Sequence, residues 1–395
     1  MSSRPEGWKR LGRTADEGQE RRRQDAIARQ RQARRDLTMH VRAMAVPSIE
    51  ADLEDITASM DMDVEVTSTK SRKKTREDRV KGRREIYCNQ LSHPEWMVDI
   101  PSQLNGTCIG NGEGWYVLPR PDGKRCLVIA ANGSTIARTQ SGSVLKKFPS
   151  ALPSGSRKTS CGTDQYCVLD CIFSESEGTF HILDVMCWKG YLLYDCTAEF
   201  RFYWLQDKLS ETKAMTVTTA NPYAFHAVPY FDCTPEGIQT AYHGAFAFEK
   251  DGLLFYCKAG IYALGLSPLV LLWKDPHTSP YPSQMTIVLQ VDELLQCVTL
   301  DGKILATLAL DFATLHEIVV GDLLRFSVDS MSWSTTSEGD VVVDAQGVHF
   351  QKRCSAQRGI ADSWTKIAHI LVQPQNCGLG HLLEAAMDAA VMDAE

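Results

Sequence analysis

Gly110-Asn111-Gly112-Glu113-Gly114 has the composition of a phosphate cradle. That device needs a strand before the glycines and a helix N-terminus after them. Here an apolar strand-like run, Trp115–Leu118, follows instead, so the stretch reads as a loop. The thirteen cysteines sit singly, with no CxxC and no His pair at zinc-finger spacing. Several fall inside apolar runs (Cys126, Cys187), where a free thiol packs as a small core residue. Neither a metal site nor a disulfide framework is expected. The remaining set is spread along the chain. Arg120-Pro121-Asp122-Gly123-Lys124-Arg125 sits at a hairpin tip, Asp170 and Asp184 lie in two later apolar runs, Asp251-Gly252 opens another, and Trp273-Lys274 ends the series.

The elements that position this set read mostly as strands. Asp122-Gly123 and Asn132-Gly133 separate the runs Trp115–Leu118, Cys126–Ala131 and Ser134–Thr139, the strongest short-range hairpin signals. Tyr166–Phe173 and Thr179–Cys187 form another pair turned at Glu177-Gly178. Helices are fewer. One is expected from Thr197 through Leu209, and another starts at Thr234-Pro235-Glu236, with Thr as N-cap and Pro in the first turn. The expected class is α+β with a largely antiparallel sheet. Strand texture resumes beyond Ser279, and apolar residues at helical spacing predict a docked helix over His381–Met392.

Charge divides the chain. The net charge of -7 over 395 residues combines +6 in residues 1–45, -7 in 46–69, +7 in 70–84 and about -13 in the remainder. An acidic body with a basic arm excludes a generic nucleic-acid binder, whose basic surface lies on the folded domain. Glu20–Ala45 lacks Gly and Pro, is rich in Ala, Arg and Gln, and is stopped by Pro47, which predicts a helix. Leu37, Val41 and Met44 form only a narrow apolar stripe, so little burial against the body is expected, and the helix suits an acidic partner surface. The N-terminus has no apolar signal core, and no window is long and apolar enough to span a membrane, so a cytosolic or nuclear home is expected.

The order KxDGxR, LDGE, DGLIF and KWK, which is that of RNA-capping guanylyltransferases and ligases, resembles Arg120–Arg125, Leu169-Asp170-Cys171, Asp251–Phe255 and Leu272-Trp273-Lys274 here. The chain departs from it at three catalytic positions. The nucleophilic lysine is Arg120, which stays charged and offers no amine lone pair. The glutamate of LDGE falls on Ile172, and the first lysine of KWK on Leu272. A nucleotide-shaped pocket without the chemistry reads as a binder.

The resemblance narrows to the snurportin family through CNQLSHPEWMVDIPSQL (88–104), GKRCLVIAANGST (123–135), YCVLDCIF (166–173), HILDVMCWKG (181–190), FRFYWLQDKL (200–209) and DGLLFY (251–256). It implies a nuclear import adaptor, shuttling between cytoplasm and nucleus, which binds the trimethylguanosine cap of spliceosomal U snRNAs and links the particle to importin β. It implies no enzyme activity and no cofactor, a monomer, and an exportin and snRNP proteins as further partners. By the resemblance Trp273 stacks on the cap guanine, Trp96 meets its methylated amine, and Gly123, Lys124 and Arg125 face the triphosphate bridge. A methylated guanine is a cationic ring, for which Trp is the best aromatic face. Pro94 and Gln140 stand where the family has Ser and a phosphate-facing Lys, with Arg138 a substitute if the register allows. The stretch before Trp273 is also one residue longer than in the family pattern. Importin contacts fall on Arg21, Arg22, Arg23, Arg29, Arg31, Arg34 and Arg35.

The expected divisions are an importin-binding arm (1–45), a charged linker (46–85) with a second basic run at 70–84, a cap-binding domain (86–280), a β-rich extension (281–375) and an acidic C-terminal helix or tail (376–395). Two rivals stay open. One is an active guanylyltransferase using another lysine such as Lys124, and the other a protein-only adaptor that has lost cap binding.

Overall fold

The computed structural model describes residues 18–32, 38–45, 86–88, 90–106, 114–159, 165–280, 286–335, 341–354 and 361–392. The linker at 46–85 lies outside them, as do Arg34, Arg35 and the side chain of Arg31.

The class is α+β, and its sheets are mostly antiparallel. The first sheet runs β1 (Ser92–Trp96), β12 (Gly265–Trp273), β11 (Lys250–Cys257), β2 (Trp115–Pro121) and β10 (Phe231–Asp232). The second runs β5 (Val144–Phe148), β4 (Ser134–Thr139), β3 (Lys124–Ala131), β6 (Cys167–Ser174), β7 (Thr179–Trp188) and β8 (Tyr191–Leu192), with β9 (Ala224–Ala227) beside β7. Parallel pairing occurs only at β1/β12 and β7/β9 among these strands. The two sheets share an apolar layer in which Tyr116, Leu118, Leu254, Tyr256 and Leu272 of the first meet Ile172 and Leu183 of the second. This layer holds the sheets together and fixes what faces the space between them.

The hairpin expectations hold at Asn132-Gly133 (β3/β4) and Glu177-Gly178 (β6/β7) but fail at Asp122-Gly123, because β2 and β3 belong to different sheets and do not pair. Asp122-Gly123 joins β2 to β3, and Gly123 has φ +142°, with a Cβ there falling 2.5 Å from Phe173 O. Helix α3 (Ala198–Ser210) is capped by Thr197, whose side chain accepts from Phe200 N–H. Helix α4 (Pro235–His243) is capped by Thr234, with Pro in its first turn.

Residues 286–354 build a third sheet around their own core, with Ile287, Leu289, Leu324 and Phe326 inside. Its order is β15 (Ile304–Thr307), β14 (Gln296–Val298), β13 (Thr286–Val291), β16 (Leu323–Thr335), β17 (Val341–Cys354), with α5 (Leu310–Leu315) between the third and fourth strands in sequence. That order, with that helix position, is the topology of an open OB-type barrel.

The basic arm departs from its expectation. It forms α1 (Gln19–Gln32) and α2 (Thr38–Ala45), and both dock on the body. In α1 the docked side is polar, and Arg22 and Arg23 are buried while Ala26 and Ile27 reach the outer face of the first sheet. In α2 Val41 and Met44, two of the three residues of the narrow stripe, are fully buried against Tyr87, Leu91, Leu127 and Ile129, and the third, Leu37, lies outside the described residues. Hydrophobic patterning undervalues α1, because its anchorage comes from hydrogen bonds and ion pairs. At the other end, α6 (Trp364–Asn376) and α7 (Leu379–Met392) also pack on the first sheet, α7 against α4 through Leu382 and Ala386.

Candidate functional site

Strand β1 carries Trp96 at the edge of the first sheet, half-buried at the rim of the layer between the sheets. Lys274 Nζ lies 5.8 Å from the Trp96 ring centroid, a cation–π contact at the mouth of the site. Lys274 and Arg120 both pair with the Asp251 carboxylate, and Ser279 Oγ donates to the same oxygen as Lys274 at 2.7 Å. Gly252 makes this convergence possible. Its φ is +100°, and a Cβ there would fall 2.7 Å from Trp273 O and 2.6 Å from Lys274 Cγ. Burial, followed by the Arg120 charge, lowers the Lys274 amine to about 8, with Asp251 opposing.

Arg125 is not the open cation that the resemblance implies. It binds Asp170 bidentately, Nε to Oδ1 at 3.0 Å and Nη2 to Oδ2 at 2.7 Å, and Tyr262 Oη donates to the same carboxylate at 2.7 Å. Its side chain is 9% exposed, so its charge is spent inside the protein. His93 on β1 lies within the field of this pair. Burial, then the Arg125 charge, lowers the imidazole to about 4, so it is neutral at pH 7. Asp184 is locked in the same way to Arg201, with both oxygens at 2.8 Å, and Ile172 is buried. Lys124 is the outlying member, exposed and paired to Glu175 at 2.7 Å.

Trp273 is the largest departure. The sequence places it at a strand end near solvent, and it does end β12, yet its side chain is 0% exposed. Its Nε1–H donates to Cys377 O at 2.7 Å, and its ring packs with Met97, Leu104, Leu382 and Ala386. Leu269, Leu271 and Trp273 face this outer core, whereas Val270 and Leu272 face the layer containing Trp96. Trp96 and Trp273 therefore stand on opposite faces of one sheet and cannot enclose one base. A single added residue before Trp273 is enough to reverse its face, because side chains alternate along a strand. The β1/β12 register also shifts here, from Pro94↔Ser267 to Glu95↔Leu271.

The other expected residues are placed as follows. Pro94 is half-buried beside Ser267, and Gln140 lies in the turn after β4. Arg138 does not substitute for a phosphate-facing lysine at 140. It is buried, donates to Gly142 O at 3.1 Å, and lies 3.7 Å from the Tyr87 ring centroid. The structure thus brings together Trp96, Lys274, Arg120 and Asp251, and leaves Trp273, Arg138 and Lys124 apart from them.

Helices α1 and α6, far apart in the sequence, converge on β1, which the sequence did not reveal. From α6, Thr365 Oγ1 accepts the Trp96 N–H at 3.2 Å, and the His369 ring centroid lies 5.2 Å from that of Trp96. His369 sits between Met97 O and Lys274 O, and burial keeps its imidazole pKa low. From α1, Arg22 binds Glu95 bidentately, Nε at 3.2 Å and Nη2 at 2.7 Å. Gln19 donates to Glu95 and to Trp96 O, both at 3.0 Å, and accepts from Val98 N and Asp99 N. Arg23 pairs with Glu20 and donates to Asp99 O at 3.3 Å, while Arg21 and Arg29 are exposed. The signal in the sequence is Glu95 itself, a carboxylate directly before the apolar run Trp96-Met97-Val98, which calls for a cation once that run is buried.

Fold and site together describe a two-sheet α+β domain with an aromatic and cationic rim. Residues 90–276 match the model of the family described as Snurportin1, m3G cap-binding domain. The chain is snurportin-like over that span. Among solved structures, it is similar to a Lig E DNA ligase at 13% identity and TM-score 0.32, covering 67% of this chain and 98% of that one. It is also similar to the ligase domain of LigD from M. tuberculosis at 14% identity and TM-score 0.34, covering 68% and 95%.

Proposed function

We propose that this protein binds the trimethylguanosine cap of U snRNAs and acts as their nuclear import adaptor, with importin β engaging its N-terminal helix. The family match over residues 90–276 carries this reading, and Trp96 with Lys274 lies inside that span. In this reading Trp96 is the aromatic contact to the cationic base, and Lys274 and Arg120 are the nearest charges for the phosphates. Importin β must compete with the body for α1, since Arg22 and Arg23 are already engaged.

A non-enzymatic role is supported by the same residues. Arg120 replaces the lysine nucleophile and is held by Asp251, and the strand aspartates Asp170 and Asp184 are both neutralised by arginines. The burial of Trp273 on the far face favours a second reading, a protein-only adaptor whose body has lost cap binding. Tryptophan fluorescence decides between the two. Saturable quenching by a trimethylated cap dinucleotide, stronger than by the monomethylated one and lost in Trp96→Ala, is the expected result. No quenching of the folded wild-type protein by either cap would leave the second reading.

A further inference from the structure

A cleft of about 470 Å³ opens on the second sheet at the end remote from Lys124. It lies between the turn Gly133-Ser134 and the loop that follows β5, and its lining includes Lys147, Arg157, Lys158, Ser156 and Pro149. None of its lining residues is acidic. Residues 144–159 hold four cations (Lys146, Lys147, Arg157, Lys158) and no carboxylate. The body as a whole is strongly acidic, so this local excess of cations stands out.

The cleft is built rather than incidental. Its loop is fixed by Ser150 N to Gly155 O at 2.8 Å, Ser154 N to Thr159 O at 2.8 Å and Thr159 N to Ser156 O at 3.0 Å. Gly133 N donates to Ser154 O at 2.9 Å and ties the loop to the turn. Arg157 and Lys158 are exposed on this rigid frame, with Pro149 offering an apolar wall. A concave site with cations, hydroxyls and an apolar wall fits one nucleotide better than a flat acidic protein surface.

We propose that this cleft is a second RNA subsite, which holds a nucleotide of the RNA body beyond the cap through its phosphates. The inference rests on the cap-binding reading. Arg120 of the cap site lies just before β3 begins, and β3 then runs seven steps from Lys124 to Ala131, or roughly 23 Å at about 3.3 Å each, towards the cleft, so a cap dinucleotide does not reach it. Only a longer capped RNA spans both sites.

The test compares a cap dinucleotide, a capped oligonucleotide and the same oligonucleotide uncapped, against the full chain and its Arg157→Ser/Lys158→Ser variant. Both residues are exposed, so the variant folds. The capped oligonucleotide is expected to bind the wild type more tightly than the dinucleotide. In the variant that gain falls several-fold, and the slope of log affinity against log salt falls by about 1.4, at about 0.7 per phosphate contact on a single strand. Dinucleotide affinity stays unchanged. Equal binding of capped oligonucleotide to wild type and variant overturns the subsite. So does binding at the cleft of polyglutamate with no binding of the uncapped RNA, which would assign the surface to an acidic protein. If the dinucleotide itself fails to bind, the cap reading falls, and loss of the uncapped oligonucleotide in the variant still establishes the cleft.

Discussion

Replacing Trp273 by Phe or Ala separates a core residue from a ligand-stacking one. Trp273 is fully buried, and its only polar atom donates at 2.7 Å to Cys377 O. Trp273→Phe keeps most of the packing but leaves that carbonyl unpaired, which costs about 1–3 kcal/mol. Trp273→Ala adds a cavity between β12 and α7, for a total of about 3–5 kcal/mol or more. At about 2–4 °C per kcal/mol, the alanine variant melts roughly 6–20 °C lower, and the phenylalanine variant falls between it and wild type. Differential scanning fluorimetry measures these shifts, and a cap titration runs alongside on the phenylalanine variant. Cap affinity of Trp273→Phe is expected to match wild type. Trp96→Ala, on the opposite face, should instead lose about 1–3 kcal/mol of stacking with little change in melting temperature. A Trp273→Phe protein that melts like wild type but binds the cap tenfold more weakly would refute the reasoning and put Trp273 in the site.

Glu95→Gln removes the charge that holds the buried Arg22, at a cost of up to about 3–5 kcal/mol to the docking of α1, since the guanidinium is left without its counter-charge. Trypsin should then cut within residues 18–32 faster than in wild type, and unchanged protection would show that α1 docking does not depend on this pair. The Lys274 amine is about 8 in the fold against 10.5 unfolded, so its charge opposes folding below pH 8 and that opposition fades as pH rises to 10.5. Lys274→Met should therefore be more stable than wild type at pH 7 by up to about 3 kcal/mol in urea unfolding, an advantage that disappears by pH 10.5. His93, at about 4 against 6.5 unfolded, acts in the same pH sense at lower pH: its burial costs nothing above pH 6.5, and stability is lost as pH falls from 6.5 to 4. His93→Gln should flatten that acid-side loss, by up to about 3 kcal/mol, and an unchanged acid limb would exclude His93 as its source. Finally, Arg120→Lys restores the missing amine, yet with Ile172 in place of the glutamate and Asp170 held by Arg125, labelled GTP should leave no adduct that survives denaturation.

Local chemistry made much of this protein legible from its sequence. The hairpins at Asn132-Gly133 and Glu177-Gly178, and the caps Thr197 and Thr234, follow from what a few adjacent residues can and cannot do, so a linear reading finds them, whereas only the fold shows that Asp122-Gly123 crosses between sheets. The family's strings lie in β1, β3, β6, β7, α3 and β11, where strand texture and order survive in sequence. Tertiary structure alone decided the rest. It chose the partners of the charged side chains: Arg125 and Asp170 are 45 residues apart, Arg22 and Glu95 are 73 apart, and no spacing rule pairs them. It brought α1 and α6 onto one strand and made Arg22 and Arg23 of the arm part of the body. It also settled which way Trp273 points. A strand's side chains alternate, so one residue of register separates a ring in the cleft from a ring in the core, and that register was fixed by how β12 pairs with β1 and β11.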